Sequence, residues 1–241
     1  MNGFKAIYKK QVKDILKNMS VLVQFVLFPA VAFAMTHFVV GSDMVDFGYV
    51  DGMDDNAFVT MFAAIFVGMG LIPTVATIIA EDRERKSLRF LIMANVKPAS
   101  YLLGVGGVIF TASILPSLAF AFIGGFGGEQ FWIFMAAMMS GAVASIFLGA
   151  SIGIFAKNTQ AASGMALPFA LVLGFGPMIG MFNEQVGNAF RFFYTQQLDI
   201  ILNSFSLEVA GLWGAFGVIW VNVGVLLVVF VIAFGKKGLR G

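Results

Sequence analysis

The sequence contains no cysteine and only one histidine, His37, among its 241 residues. The lack of cysteine excludes disulfides, thiolate nucleophiles and cysteine-based metal sites. Charged residues are also scarce, at 12% of the chain, whereas a soluble domain carries roughly 25%. With 59% hydrophobic residues, this deficit predicts an integral membrane protein and leaves acid–base or metal catalysis almost no side chains to use.

Charges are missing most completely from six long stretches, each longer than the ~20 residues that a helix needs to cross the hydrocarbon core. A transmembrane barrel would instead show short alternating segments. The sequence therefore predicts an all-α polytopic membrane protein, a single transmembrane domain over residues 1–241, with spans at 21–40, 57–80, 99–125, 131–156, 161–182 and 211–235.

The basic residues predict the orientation of these spans. Fourteen of the 15 Lys and Arg fall in 1–20, in 81–98, near 157 and in 236–241, which all lie on one side of a six-span topology. Because basic loops remain in the cytoplasm, both termini are expected to be cytoplasmic. We expect a multi-pass protein of the cell membrane, of bacterial origin.

Residues 1–20 have the pattern of an amphipathic helix. Apolar positions fall on one half of the helical wheel and four lysines fall on the other. Such a helix is expected to lie in the headgroup layer, with its lysines attracted to anionic lipid. Two interpretations stay open: a plain positively charged anchor, or a mechanical link between a cytoplasmic partner and the first span.

A charged island follows the second apolar stretch. Seven of the nine residues from Glu81 to Arg89 are ionisable, and Leu88, Leu91 and Ile92 add an apolar stripe. A solvated cytoplasmic loop explains the bases, but not the three carboxylates among them. Mixed charge beside apolar anchors is what a protein docking surface needs, because charges set the register and buried side chains supply energy.

This island resembles the cytoplasmic motif of type 2 ABC exporter permeases, which reads roughly Glu-x-x-(Glu)-x-Gly-Thr-Leu-x-x-Leu and is followed by a proline. Lys86 stands where the family commonly has glycine. The order of elements along the whole chain is also similar. The positions that match the motif are Glu81, Glu84, Ser87, Leu88, Leu91 and Pro98.

The resemblance implies that residues 81–98 form a coupling helix in a cleft of a separate ABC ATPase subunit. No G-x-x-x-x-G-K-[ST] phosphate loop is present, so ATP and Mg are expected on that partner and no catalytic residue is expected here. The complex would contain two ATPase subunits and a second permease copy, identical or related. The expected ATPase-coupling residues are Glu81, Asp82, Arg83, Glu84, Arg85, Ser87, Leu88, Phe90, Leu91 and Pro98.

Two further segments carry structural predictions. Residues 183–208 are too polar to span and too apolar for a solvated loop, and they resemble the re-entrant extracellular helices of the same family. The fourth span repeats small residues every four positions, which permits close helix contact within the subunit or between subunits. This ladder consists of Ala137, Gly141, Ser145, Gly149 and Gly153.

The apolar spans suit an amphiphilic or hydrophobic cargo, such as a peptide toxin or antimicrobial, or a drug. Lipid and polysaccharide export remain alternative cargo classes. A secondary transporter or channel without an ATPase is a further alternative, although ion coupling usually leaves ionisable residues within the spans. Candidates for lining a substrate path are Met61, Phe66, Met69, Met178 and Phe182.

Overall fold

The computed structural model describes residues 2–40, 56–85, 98–204 and 209–235. Helix accounts for 92% of the structure and no strand occurs within these ranges, which confirms the predicted all-α class. The helices are α1 (Asn2–Lys17), α2 (Met19–Ala34), α3 (Ala57–Ile65), α4 (Leu71–Glu84), α5 (Pro98–Ile123), α6 (Gly128–Phe155), α7 (Thr159–Phe182), α8 (Glu184–Phe190), α9 (Tyr194–Asn203) and α10 (Val209–Ala233).

Six helical stretches are long and apolar enough to cross a membrane, which confirms the predicted number. The predicted second span ends at residue 80, but its helix continues through four charged residues to Glu84. The six stretches are Met19–Phe38, Ala57–Glu84, Tyr101–Ile123, Gly128–Phe155, Thr159–Gly180 and Gly211–Ala233.

The second span is the central helix of the bundle. Its apolar window is 78% buried within the protein, against 22% for the first and sixth spans. It consists of α3 and α4, joined by a π-helical segment at Phe66–Gly70. Helices α6 and α7 pack most extensively against α4, so the second span contacts protein rather than lipid over most of its length.

Small residues allow α4 and α6 to approach until their backbones touch. A Cβ atom added at Gly149 would lie 2.6 Å from the Ile72 carbonyl oxygen, and one at Gly153 would lie 2.6 Å from the Ala76 carbonyl oxygen. Both contacts are with backbone, which cannot move aside as a flexible side chain can. The predicted ladder on α6 therefore packs against the second span of the same chain.

Helix α1 packs along the first part of α5. The Ile7 side chain is buried, and a Cβ atom added at Gly104 would lie 2.5 Å from Ile7 Cγ2. The Tyr8 hydroxyl lies 2.8 Å from Thr111 Oγ1. The helix ends at Lys17, and Asn18 occupies the N-cap position of α2, so residues 2–20 form one helix and the start of the next.

The segment before the last span folds into α8 and α9, and α9 packs against α10, α6 and α3. The Tyr194 hydroxyl lies 2.8 Å from Ser145 Oγ on the ladder of α6. Farther along α9, Asn203 Oδ1 accepts a hydrogen bond from Thr60 Oγ1 at 2.6 Å. These hydrogen bonds hold α9 against α6 and α3, and the bond between Tyr194 and Ser145 is buried, where its polar atoms need each other as partners.

Candidate coupling site at the end of the second span

The charged island begins inside a helix. Residues Glu81–Glu84 form the last turn of α4, and the Arg85 N–H closes that turn on the Glu81 carbonyl oxygen at 2.9 Å. Consecutive residues on a helix point about 100° apart, so these side chains leave α4 in different directions. Each of the three at 82, 83 and 84 contacts a different part of the bundle.

Asp82 points into the protein and is 5% exposed. Its Oδ1 accepts a hydrogen bond from Lys10 Nζ at 2.6 Å, and its Oδ2 accepts from Gln11 Nε2 at 2.7 Å and from the Tyr101 hydroxyl at 3.0 Å. A buried carboxylate is costly unless it is paired and hydrogen-bonded, and these three donors meet that requirement. Asp82 thereby joins α4 to α1 and α5.

Arg83 extends to the end of α6. Its Nη1 donates to the Ile154 carbonyl oxygen and, at 3.0 Å, to the Ala156 carbonyl oxygen. The last carbonyl groups of a helix have no partner within the helix, and a cation there also interacts favourably with the helix dipole. Arg83 therefore caps α6 from the neighbouring span.

Glu84 caps the next helix in the same way, with the opposite charge. Its Oε2 accepts a hydrogen bond from the Thr159 hydroxyl at 2.9 Å and from the Thr159 backbone N–H at 3.2 Å. Thr159 is the first residue of α7, where backbone N–H groups lack helical partners and negative charge is favoured. One helical turn of α4 thus holds the adjoining ends of α6 and α7.

The remaining two charges of the turn stay at the surface. Glu81 Oε1 and Arg85 Nη2 are 2.6 Å apart, with 38% and 71% of the respective side chains exposed. An exposed i,i+4 pair of this kind stabilises a helix by only about 0.3–0.5 kcal/mol. Glu81 and Arg85 are therefore free to exchange partners, whereas Asp82, Arg83 and Glu84 have structural contacts within the chain.

A polar cavity of about 420 Å³ lies beside this turn, between α1, the start of α2 and the end of α4. Its charged lining is balanced, with three bases and three acids. These residues are Lys10, Lys17, Arg85, Asp14, Glu81 and Asp82.

The other predicted coupling residues fall partly outside the described ranges. Ser87, Leu88, Phe90 and Leu91 lie in 86–97, which the structure does not describe. Pro98 is the first residue of α5, a position that favours proline because the missing N–H would have no helical partner there. The described part of the chain therefore stops at Arg85, just after α4, and resumes at Pro98 in α5.

The predicted path residues do not share one environment. Phe66 is fully buried, with its ring 5.5–6.0 Å from the rings of Phe25, Phe28 and Phe120, so it belongs to the core of this subunit. Met61, Met69 and Met178 are half-buried. The side chain of Phe182, at the end of α7, lies outside what the structure describes.

Sequence reasoning missed the partners of the island, which are Lys10, Gln11, Tyr101, Ile154, Ala156 and Thr159. One signal was available for Gln11. It occupies the apolar face of α1, midway between the buried Ile7 and Ile15, where a polar side chain indicates a buried partner.

A family model described as "ABC-2 family transporter protein" matches residues 5–235. No curated protein matches the sequence. The matched region covers most of the N-terminal helix, all six spans and the island. Members of this family are membrane components of transporters, and the family implies an ABC ATPase as partner. The chain therefore belongs to the ABC-2 transporter family, as a multi-pass permease component.

Proposed function

We propose that this permease is the membrane subunit of an ATP-driven exporter, and that its ATPase partner docks on residues 81–98. The cargo is amphiphilic or hydrophobic, such as a peptide toxin, an antimicrobial or a drug. The ATPase supplies ATP and Mg, and the working complex holds two ATPase subunits and two permease copies. Export of a lipid or polysaccharide is the alternative cargo class.

The observation that carries the coupling role is the set of contacts made by one helical turn. Asp82 contacts α1 and α5, Arg83 contacts the end of α6, and Glu84 contacts the start of α7. A force applied to the chain just after Arg85 therefore reaches four other helices directly. Such a junction is suited to turning closure of an ATPase dimer into a concerted shift of the spans.

Charge supports the proposed orientation. The exposed lysines of α1, Arg85 and Lys157 lie at the end of the bundle that carries the island. Positive residues remain on the cytoplasmic side, where an ABC ATPase binds. Both termini are then cytoplasmic, and α8 and α9 lie toward the cell exterior of a bacterial plasma membrane.

The cargo proposal rests on the nature of the partly exposed side chains. Met69 and Met178 are half-buried, and methionine adapts to irregular apolar partners. A path between two permease copies lined by such residues would accept apolar surfaces of varied shape.

Reconstitution tests the exporter proposal. The permease and its ATPase, purified together and placed in proteoliposomes, are expected to move a hydrophobic peptide only when Mg-ATP is hydrolysed. A Glu81→Lys/Arg85→Glu variant reverses the two surface charges that the proposal assigns to docking. The variant keeps an ion pair between the two positions but exchanges the signs of the charges that face the ATPase. We expect transport and stimulated ATP hydrolysis to fall while the protein still inserts.

A matched variant separates docking from folding. Lys13→Gln removes one exposed charge from α1, outside the predicted docking segment and outside the polar cavity, and should leave transport unchanged. Transport by the permease alone, without nucleotide, would instead support the secondary transporter or channel.

A further inference from the structure

A groove at the opposite end of the bundle from the island collects every tryptophan in the protein. The chain has three tryptophans and 28 phenylalanines, and all three tryptophans line one cavity of about 700 Å³ between the first turns of α6 and α10. Cavities of this size hold small ligands. The lining includes Glu129, Trp132, Ser140, Trp213, Phe216 and Trp220.

An aromatic belt accounts for Trp132 and Trp213, which lie near the first residues of α6 and α10, but not for Trp220. Tryptophan gathers at the level of the lipid headgroups, where one edge of the ring is wet. Trp213 and Trp220 lie on the same helix, two turns apart, which is roughly 10 Å along its axis. Trp220 therefore lies farther along the groove, toward the membrane interior, and all three indoles remain more than half exposed.

The mouth of the groove carries a negative charge. Glu129 lies in the first turn of α6 and is exposed. It takes part in none of the ion pairs within residues 2–40, 56–85, 98–204 and 209–235. A carboxylate beside indole faces is the chemistry that recognises an organic cation, because tryptophan forms the strongest cation–π contacts of the aromatic side chains.

The rest of the groove is apolar. Ile133 and Ala136 on α6 and Leu212 on α10 form its walls, and Ser140 lies at the far end. The distance along α6 from Glu129 to Ser140 is roughly 16 Å. An alkyl chain fits such a slot, because burial of its methylenes is favourable and the chain has no polar group that would lose a partner.

We propose that this groove binds a bilayer amphiphile that has a quaternary ammonium head group and one alkyl chain. The head group lies between Glu129 and the indole of Trp132 or Trp213, and the chain runs along α6 toward Ser140. The site is independent of the proposed ATPase coupling, since it shares no residue with the island.

The tryptophans make the test direct, because the tryptophan fluorescence of the unmodified protein, excited where tyrosine hardly absorbs, comes only from this groove. The purified full-length permease in dodecyl maltoside micelles is titrated with dodecyltrimethylammonium brominated on its chain, since bromine quenches indole on contact. Matched brominated twelve-carbon probes with a neutral alcohol and with a carboxylate head group are titrated in parallel. We expect saturable quenching by the cation at the lowest concentration of the three.

Two variants complete the test. Glu129→Gln keeps the shape of an exposed side chain and should raise the half-saturating concentration of the cationic probe about fivefold. Trp220→Leu should weaken quenching of the remaining two tryptophans. Asp14→Asn and Phe122→Leu remove an exposed charge and an exposed ring elsewhere, and neither should change the titration.

Three outcomes would overturn the proposal. Equal midpoints for all three probes would make the groove an ordinary lipid contact. An unchanged midpoint in Glu129→Gln, with the variant monodisperse on size exclusion, would remove the cation site. Absence of quenching by every probe would mean that another surface, such as a second copy of the chain, covers the groove.

Discussion

Replacing Asp82 with alanine should loosen α1 from the bundle more than any other single charge removal in the island. The change deletes the shared acceptor of three donors. Gln11 and Tyr101 are both buried, at 3% and 2% exposure, so water cannot replace the lost bonds. Each donor left unpaired in such a place costs about 1–3 kcal/mol.

Lys10 contributes less, because 46% of its side chain is exposed and its ammonium group can rehydrate. Loss of its ion pair should lower the free energy of unfolding by about 1 kcal/mol or less, as for other surface ion pairs. The free energy of unfolding should therefore fall by roughly 3–5 kcal/mol in total, which matches the usual cost of breaking a buried pair. For a chain of this length the melting temperature should drop by about 10 °C.

Thermal unfolding in dodecyl maltoside, followed by circular dichroism, measures the loss of stability. Hydrogen exchange locates it, and amides of α1 should exchange faster while those of α6 stay protected. The matched control is Glu81→Ala, which removes a neighbouring carboxylate whose partner is exposed and which should shift the melting temperature by at most a few degrees.

Equal melting temperatures for Asp82→Ala and Glu81→Ala, with α1 exchange unchanged, would refute the role of Asp82 as the link between α1, α4 and α5. Should the alanine variant fail to accumulate, Asp82→Asn gives a milder test. It keeps one acceptor oxygen but places an NH₂ group against the donors, so an intermediate loss of stability is expected.

The remaining predictions concern packing and pH. Gly153→Ala places a methyl group 2.6 Å from the Ala76 carbonyl oxygen and should destabilise the bundle by about 1–3 kcal/mol, whereas Gly164→Ala, with open space around it, should be neutral or stabilising in the same melting assay. Burial raises the pKa of Asp199 to about 6, although the hydrogen bond from Asn203 opposes this rise. The folded state then holds this proton more tightly than the unfolded state, so its contribution, roughly 3 kcal/mol, is present below about pH 4 and lost as pH rises through 6. Melting at pH 5 and pH 7.5 should differ less in Asp199→Asn, and an unchanged difference would exclude this titration.

The six spans and the all-helical class could be predicted because they depend on composition over long windows. The bilayer requires ~20 apolar residues per helix, and few other sequences satisfy that requirement. The small-residue ladder of α6 was visible for a similar reason, since its period is the helical period. Its partner was not, because nothing in a spacing of four residues says which helix lies opposite.

The contacts of the island were harder to predict, because its first charged residues still belong to α4 and do not mark the end of the helix. Val75 and Ile79 are fully buried, and Asp82 continues their stripe at helical spacing. Following that stripe past Ala80 would have placed Asp82 on the buried face. Asp82 can be buried there because Gln11 and Tyr101 donate hydrogen bonds to it. Both lie on other helices, and only the fold brings them close.

The end of the second span also has a consequence for biogenesis. When α4 enters the membrane during synthesis, Asp82, Arg83 and Glu84 have few of their final contacts, because Tyr101, Ala156 and Thr159 follow later in the chain. Asp82 can already pair with Lys10 and Gln11 of α1, whereas Arg83 and Glu84 must wait for their partners until the fourth span is complete and the fifth begins to emerge. A chain released before Ala156 would leave Arg83 and Glu84 without these partners, and such a fragment presents an incompletely packed helix end that quality-control proteases can recognise.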